Sequence, residues 1–305
     1  MLDEERGQER AAEGVIFVTV LAHESALPGV QMLVGSLRTF GGPFSQAPLW
    51  IFDLTPEAEL CGRMAANRVE TFPLSLPAEL RGYPFAGKVA ACARAEELVP
   101  SHLTSLVWIS SDCLIFNPPR AVLLTPPHQA ALRPVHIQNI GAAREGALNA
   151  YWREIYRQVA QKPPAFSVDS FVDRVTLYPY FNTHTFAVNP RPGLMGRWQE
   201  IFLRLVKDEP FQSGACRDTP HKIFLHQAVF SALLSTHLDQ DRISMLPPTY
   251  GYPYNLQEQI PTRRRVKDLG ELVSLTWEGR TLAPDEVQDI HIGERYRKWL
   301  RVYFR

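Results

Sequence analysis

The sequence predicts an α/β fold in which a mostly parallel sheet is flanked by helices. Three observations carry that expectation. Gly14 to Leu21 is a continuous apolar, β-branched run, the pattern of a strand buried on both faces. Leu49 to Asp53 and Leu106 to Ile109 repeat it. Between these runs lie stretches of helical periodicity, and strand–helix–strand alternation implies crossover units with parallel pairing.

After the first strand, a loop with His23, Pro28 and Gly29 leads to Val30, Leu33, Val34 and Leu37, which recur at helical spacing. Leu49 to Asp53 is the second strand and Val69 to Leu74 a third. Lys88 to Leu98, rich in Ala, Arg and Glu, reads as a helix that closes before Pro100. The strand Leu106 to Ile109 follows. The second half is less regular. Ala130 to Val135 is a short strand, Tyr151 to Val159 a helix, and Tyr180 to Pro190 a turn and a strand. Trp198 to Val206 and Phe224 to Leu234 are helical, with His226 and Gln227 in the first turn of the second. Proline is frequent from Pro163 to Pro261, which fits long loops over a binding face.

A chain of 305 residues can bury a full core, as one large α/β domain or two small ones. Lys plus Arg and Asp plus Glu are 32 each, so there is no bulk attraction to nucleic acid. Cys61, Cys92, Cys113 and Cys216 form no Cys-x-x-Cys pair and read as reduced thiols. Met1 to Glu13 is polar and charged, unlike a secretory leader, and no apolar run approaches the ~20 residues of a membrane span. These features predict a cytoplasmic protein with a flexible tail at 1–13. The oligomeric state is not legible.

The most informative stretch is Val107-Trp108-Ile109-Ser110-Ser111-Asp112-Cys113-Leu114-Ile115-Phe116. It is an apolar, β-rich run interrupted by a single carboxylate. An acid at such a strand end can hold a divalent metal over a bound diphosphate. Several segments then line up, in order, with one family. Phe17-Val18-Thr19 followed by Leu33 to Leu37, Lys88 at a helix start, Trp108 to Phe116, and Phe181-Asn182-Thr183 ending at Val188-Asn189-Pro190 form the first part. His226-Gln227, Leu246-Pro247 with Tyr254-Asn255, and His291-Ile292-Gly293 with Lys298-Trp299 complete it. Together they resemble the glycogenin-like (family 8) glycosyltransferases of GT-A fold, from about Val15 to Trp299. The departures are Ser110 and His226 where the family has Asp, Ala26 where an aromatic is frequent, and no proline before Trp299.

The resemblance implies a Rossmann-like mixed central sheet flanked by helices, in a single domain over 14–305. Its nucleotide half would lie near 14–116 and its acceptor half near 117–305. It also implies a hexosyltransferase-type enzyme that moves a sugar from a nucleotide-sugar, of UDP type, to a glycan or other small-molecule acceptor. Asp112 and His291 would hold Mn2+ or Mg2+ weakly, with Ser110 acting through water. Thr19 and Val20 would flank the nucleotide by backbone contacts. Lys88, with Arg94 two turns on, would reach phosphate and sugar. Lys298, beside Arg295 and Arg297, would carry part of the diphosphate charge. Asn182, His226 and Gln227 would meet the sugar or the reacting face. Arg263-Arg264-Arg265 is either a patch for an acidic acceptor or a solvated loop. Two other readings remain. One is a non-catalytic glycosyltransferase-like protein that binds nucleotide-sugar or glycan, favoured by Ser110. The other is a nucleotidyltransferase, disfavoured because no Gly-rich loop opens the chain.

Overall fold

The computed structural model describes residues 13–55 and 68–304. The expected tail, apart from Glu13, and Cys61 lie outside the described residues. Cys92, Cys113 and Cys216 are buried free thiols.

Twelve strands and seven α-helices alternate along the described chain. In order they are β1 (Val15–Leu21), α1 (Leu27–Phe40), β2 (Leu49–Asp53), β3 (Val69–Pro73), α2 (Ala86–Leu98), β4 (Ser105–Ile109) and β5 (Cys113–Ile115). Then come β6 (Ala130–Pro134), α3 (Ala150–Val159), β7 (Val168–Asp169), β8 (Thr176–Leu177) and β9 (Phe181–Val188). The chain ends with α4 (Leu194–Lys207), α5 (Glu209–Ser213), α6 (Thr219–His237), β10 (Ile243–Met245), β11 (Tyr252–Pro253), β12 (Ser274–Thr276) and α7 (Glu294–Tyr303).

Seven strands form the central sheet in the order β10-β6-β9-β4-β1-β2-β3. The strands β1 to β4 pair in parallel, as the buried apolar runs predict. The sheet is nevertheless mixed, because β9 runs antiparallel to both β4 and β6. A second, three-stranded sheet joins β11, β12 and β5. The side chains of β1 alternate with the pleat. Ile16 and Val18 enter the core beneath α2, α3, α4 and α6, while Val15, Phe17 and Leu21 enter the core beneath α1. The result is three layers, helices on both faces of one sheet. A third apolar cluster seats α7 against the small sheet through Phe116, Leu275, Tyr296 and Leu300.

Two features of this topology place the site. The strand order reverses between β1 and β4, and open α/β sheets bind ligands beyond the carboxyl ends of their strands at such a switch point. And because β9 is antiparallel, its first residues lie beside the last residues of β4, with Ile109 opposite Thr185.

Candidate functional site

Three backbones deliver one side chain each. Asp112 sits on the turn after β4. His184 lies near the start of β9, and the Ser110 N–H donates to its carbonyl at 2.8 Å. Glu278 follows β12, which pairs with β5, and the Trp277 N–H donates to the Asp112 carbonyl at 3.1 Å. The ligand atoms of Asp112, His184 and Glu278 all lie within 4.8 Å of one another. His184 Nε2 is 2.6 Å from a Glu278 oxygen and 3.7 Å from an Asp112 oxygen.

The hydrogen bonds around His184 fix its tautomer. Its backbone N–H donates to Asn182 Oδ1 at 2.8 Å, so the amide oxygen faces the ring. The ring Nδ1 is 3.1 Å from that same oxygen and therefore carries the hydrogen. Nε2 is left pointing at two carboxylates. A neutral ring would set its lone pair against theirs, so the geometry calls for a cation, either a second ring proton or a metal. One imidazole and two carboxylates suit a borderline-hard divalent ion. Burial pushes the Glu278 carboxyl up, but the His184 hydrogen bond, the His184 and Lys88 charges and the Asn255 amide together hold it below its usual value. Glu278 adopts φ 36°, a left-handed backbone that a non-glycine residue holds only under constraint.

On the other face of β9 lies a second network. The Lys88 ammonium is buried at the start of α2, where Gly87 lets the helix approach Val20 and Leu54 closely. It donates to the Thr183 carbonyl at 3.0 Å and to Thr183 Oγ1 at 3.3 Å. Thr183 Oγ1 also lies 3.0 Å from His226 Nε2 and 3.3 Å from Gln227 Oε1. Burial pulls the Lys88 pKa down to about 8 against the attraction of Asp112 and Glu278. Burial and the Lys88 charge keep His226 far below its ordinary value, so it is neutral, with Nδ1 donating to the Ile223 carbonyl at 2.9 Å. Phe85 closes the network. Its ring stacks on His226 at 4.4 Å and sits 4.8 Å from Lys88 Nζ, yet it remains 47% exposed.

The structure thus brings together Asp112, Asn182, Lys88, His226 and Gln227 from the sequence-derived set. Thr19 lies within β1 with its buried hydroxyl unpartnered, and Val20 follows it. The hydroxyl of Ser110 accepts from the Trp108 indole at 3.4 Å. His291 is not part of the triad; its Nδ1 pairs with Asp268 at 2.7 Å, and the ring is 67% exposed. Arg94 pairs with Glu97 on an exposed face of α2. Lys298 is exposed on α7, Arg297 engages the Pro284 carbonyl, and Arg295 lies over Tyr296. His184 and Glu278 were missed in the sequence. Each had a signal: His184 is two positions from Asn182 on one strand face, and Glu278 follows the β-prone stretch Leu272 to Trp277 as Asp112 follows its own strand. An open hollow of about 1130 Å³ lies at the opposite, amino ends of the strands, lined by Ile16, Pro48, Trp50 and Leu103. Asp112, His184 and Glu278 form the one metal-capable cluster among the described residues.

A family model described as the Rhodobacterales glycosyltransferase domain matches residues 13–235, which is most of the chain. The chain belongs to that glycosyltransferase family. The mixed central sheet flanked by helices is the architecture expected from the sequence. No curated protein matches the sequence. Solved structures of related shape include the apo-form glycosyltransferase GlyE of Streptococcus pneumoniae TIGR4, with TM-score 0.49 and 12% identity. That similarity covers 94% of this chain and 59% of GlyE, so the chain spans about three fifths of that protein's length. Another is mouse xyloside xylosyltransferase 1 in its apo form, with TM-score 0.46 and 11% identity, covering 86% of this chain and 96% of that one. No described helix is long and apolar enough to cross a membrane.

Proposed function

We propose that this family member transfers a hexose from a nucleotide-sugar, of UDP type, to a hydroxyl of a glycan or similar small acceptor. The observation that carries the reading is the His184 ring held with its Nε2 between two carboxylates, at a strand-order switch point and back to back with a buried ammonium. In the reaction, the bond between the sugar C1 and the diphosphate oxygen breaks. A bond forms between C1 and the acceptor oxygen, whose proton is released. The electrostatic burden is the charge left on the diphosphate. Asp112, His184 and Glu278 would hold Mn2+ in preference to Mg2+, because one ligand is an imidazole. When bound, that ion neutralises the leaving group as a Lewis acid.

The remaining work falls to the chain's own residues. The nucleotide half, near 14–116, holds the base and ribose over β1, with Thr19 and Val20 beside it. Lys88 adds a positive charge that needs no ion. Thr183, Gln227 and neutral His226 orient the sugar, and the exposed ring of Phe85 covers it from water. Glu278 restores the second carboxylate that Ser110 lacks, which weakens the case for a binding-only protein.

The test is calorimetry of UDP and UDP-glucose on the full chain, with Mn2+ or with chelator, alongside UDP release in a panel of acceptors. Binding should require Mn2+, and Asp112→Asn or Glu278→Gln should abolish that requirement together with the affinity. Lys88→Met should weaken the binding seen with Mn2+. Nucleotide binding that ignores the triad, or no binding with Mn2+ present, would overturn the reading.

A further inference from the structure

Beyond the triad, on the β6 side, lies a group of basic side chains without carboxylate partners among the described residues. Arg133 is only 3% exposed and His136 only 7%. Arg133 Nη1 donates to the Tyr250 carbonyl, but Nη2 has no partner, and neither ring nitrogen of His136 has one. Arg264 reaches the same place from the Arg263-Arg264-Arg265 segment, and its buried Nη1 is also unpartnered. The two guanidiniums share one aromatic ring, with Cζ of Arg133 4.7 Å and Cζ of Arg264 4.4 Å from the centroid of Phe171. Among the described residues, no carboxylate pairs with either arginine or with His136. Burial, aided by Arg264 and opposed by Tyr252, pulls the Arg133 pKa down to about 9.

Buried guanidiniums are ordinarily paired with anions, and four unpartnered nitrogens at this depth are costly to leave so. The group also touches the site. The His136 ring is stacked on His184 at 6.2 Å, and Arg133 stands opposite Asn182 in the β6–β9 register. It lies across β9 from β4 and β1, the strands that hold the triad turn and the nucleotide side. An anion here would therefore belong to whatever approaches His184 from the acceptor side.

We propose that Arg133, His136 and Arg264 form a carboxylate-binding subsite, so that the acceptor is an acidic sugar such as a hexuronide. The fork of Arg133 offers a planar partner for a carboxylate, and Arg264 adds a second charge. This rests on the glycosyl-transfer reading and fixes the acceptor class within it.

The experiment measures binding of methyl glucuronide and methyl glucoside to the full chain with UDP and Mn2+ present, with UDP-glucuronate against UDP-glucose as a second arm. The glucuronide should bind at least tenfold tighter than the glucoside. Arg264→Met and Arg133→Met should each bring that ratio close to one while leaving UDP affinity unchanged. Arg133→Met should also keep or raise the melting temperature, because it removes an unbalanced buried charge. A ratio near one in the natural protein overturns the proposal, as does a melting temperature that falls in Arg133→Met while the ratio persists. Preference confined to the UDP-glucuronate arm overturns the acceptor assignment. If UDP fails to bind while the glucuronide preference stands, the transferase reading fails and the acid subsite survives.

Discussion

His184 stands among acceptors: Asn182 Oδ1 on one nitrogen and two carboxylates on the other. Asn182 touches no cation itself, yet it decides which nitrogen is free to bind one. Asn182→Ala should therefore weaken Mn2+ binding by about 10–100-fold, the usual cost of losing a partner that orients a metal-binding histidine, read by calorimetry on the apo protein. Lys88 gives a pH signature. Its folded-state pKa, about 8, lies below the ~10.4 of an unfolded lysine, so between those values the unfolded chain binds more protons. Stability contributed at this position thus rises with pH from about 8 to about 10. Lys88→Met, which has no such charge to bury, should melt higher than the natural protein near pH 7, and the gap should narrow across that window. Of these residues, Asp112, Lys88 and Asn182 were legible because each sits where local pattern and family resemblance coincide. Glu278 was not, because its strand is three residues long, too short for periodicity to register. His291 looked the better candidate in sequence, but its partner Asp268, 23 positions away, is visible only in space.

At the scale of elements, the turn carrying Asp112 rests on α1. A Cβ at Gly29 would come within 2.6 Å of the Ser111 carbonyl oxygen, a backbone atom that cannot swing aside. Gly29→Ala should move that turn and cost about 1–3 kcal/mol of stability, in the range of an overpacked core. Its melting temperature should fall, and Mn2+ affinity should fall with it. The helix α6 begins at Thr219, five residues before the sequence expectation, so His226 and Gln227 lie about two turns in rather than in its first turn, and its start depends on a cap: Asp218 accepts from the His221 N–H at 3.0 Å. Asp218→Ala should cost about 0.5–2 kcal/mol in chemical denaturation. The long elements were readable because their apolar periods persist over several turns or a full buried strand. The small sheet of β11, β12 and β5 was not, since two or three residues per strand carry no period and long-range pairing alone defines it. The direction of β9 was equally hidden. A buried strand has the same apolar run whether it pairs parallel or antiparallel.

For the whole molecule, the three-layer packing makes one cooperative body of the described core, so a ligand at the strand ends should stabilise all of it. Mn2+ and UDP together, at about 100 times their dissociation constant, add about 2.7 kcal/mol and should raise the melting temperature by about 5 °C in a thermal-shift assay. Either alone should give much less. The antiparallel strand β9 has a further consequence. Thr183 and His184 are adjacent in the chain but project to opposite sides of the sheet, one toward Lys88 and His226, the other toward Asp112 and Glu278. A single peptide unit is thus the axle between the two chambers. Tilting it to tighten one must loosen or tighten the other, and thermodynamic reciprocity requires the effect to be equal in both directions. Sugar discrimination by this protein should therefore drift with the identity of the ion it carries, even though no sugar need touch that ion.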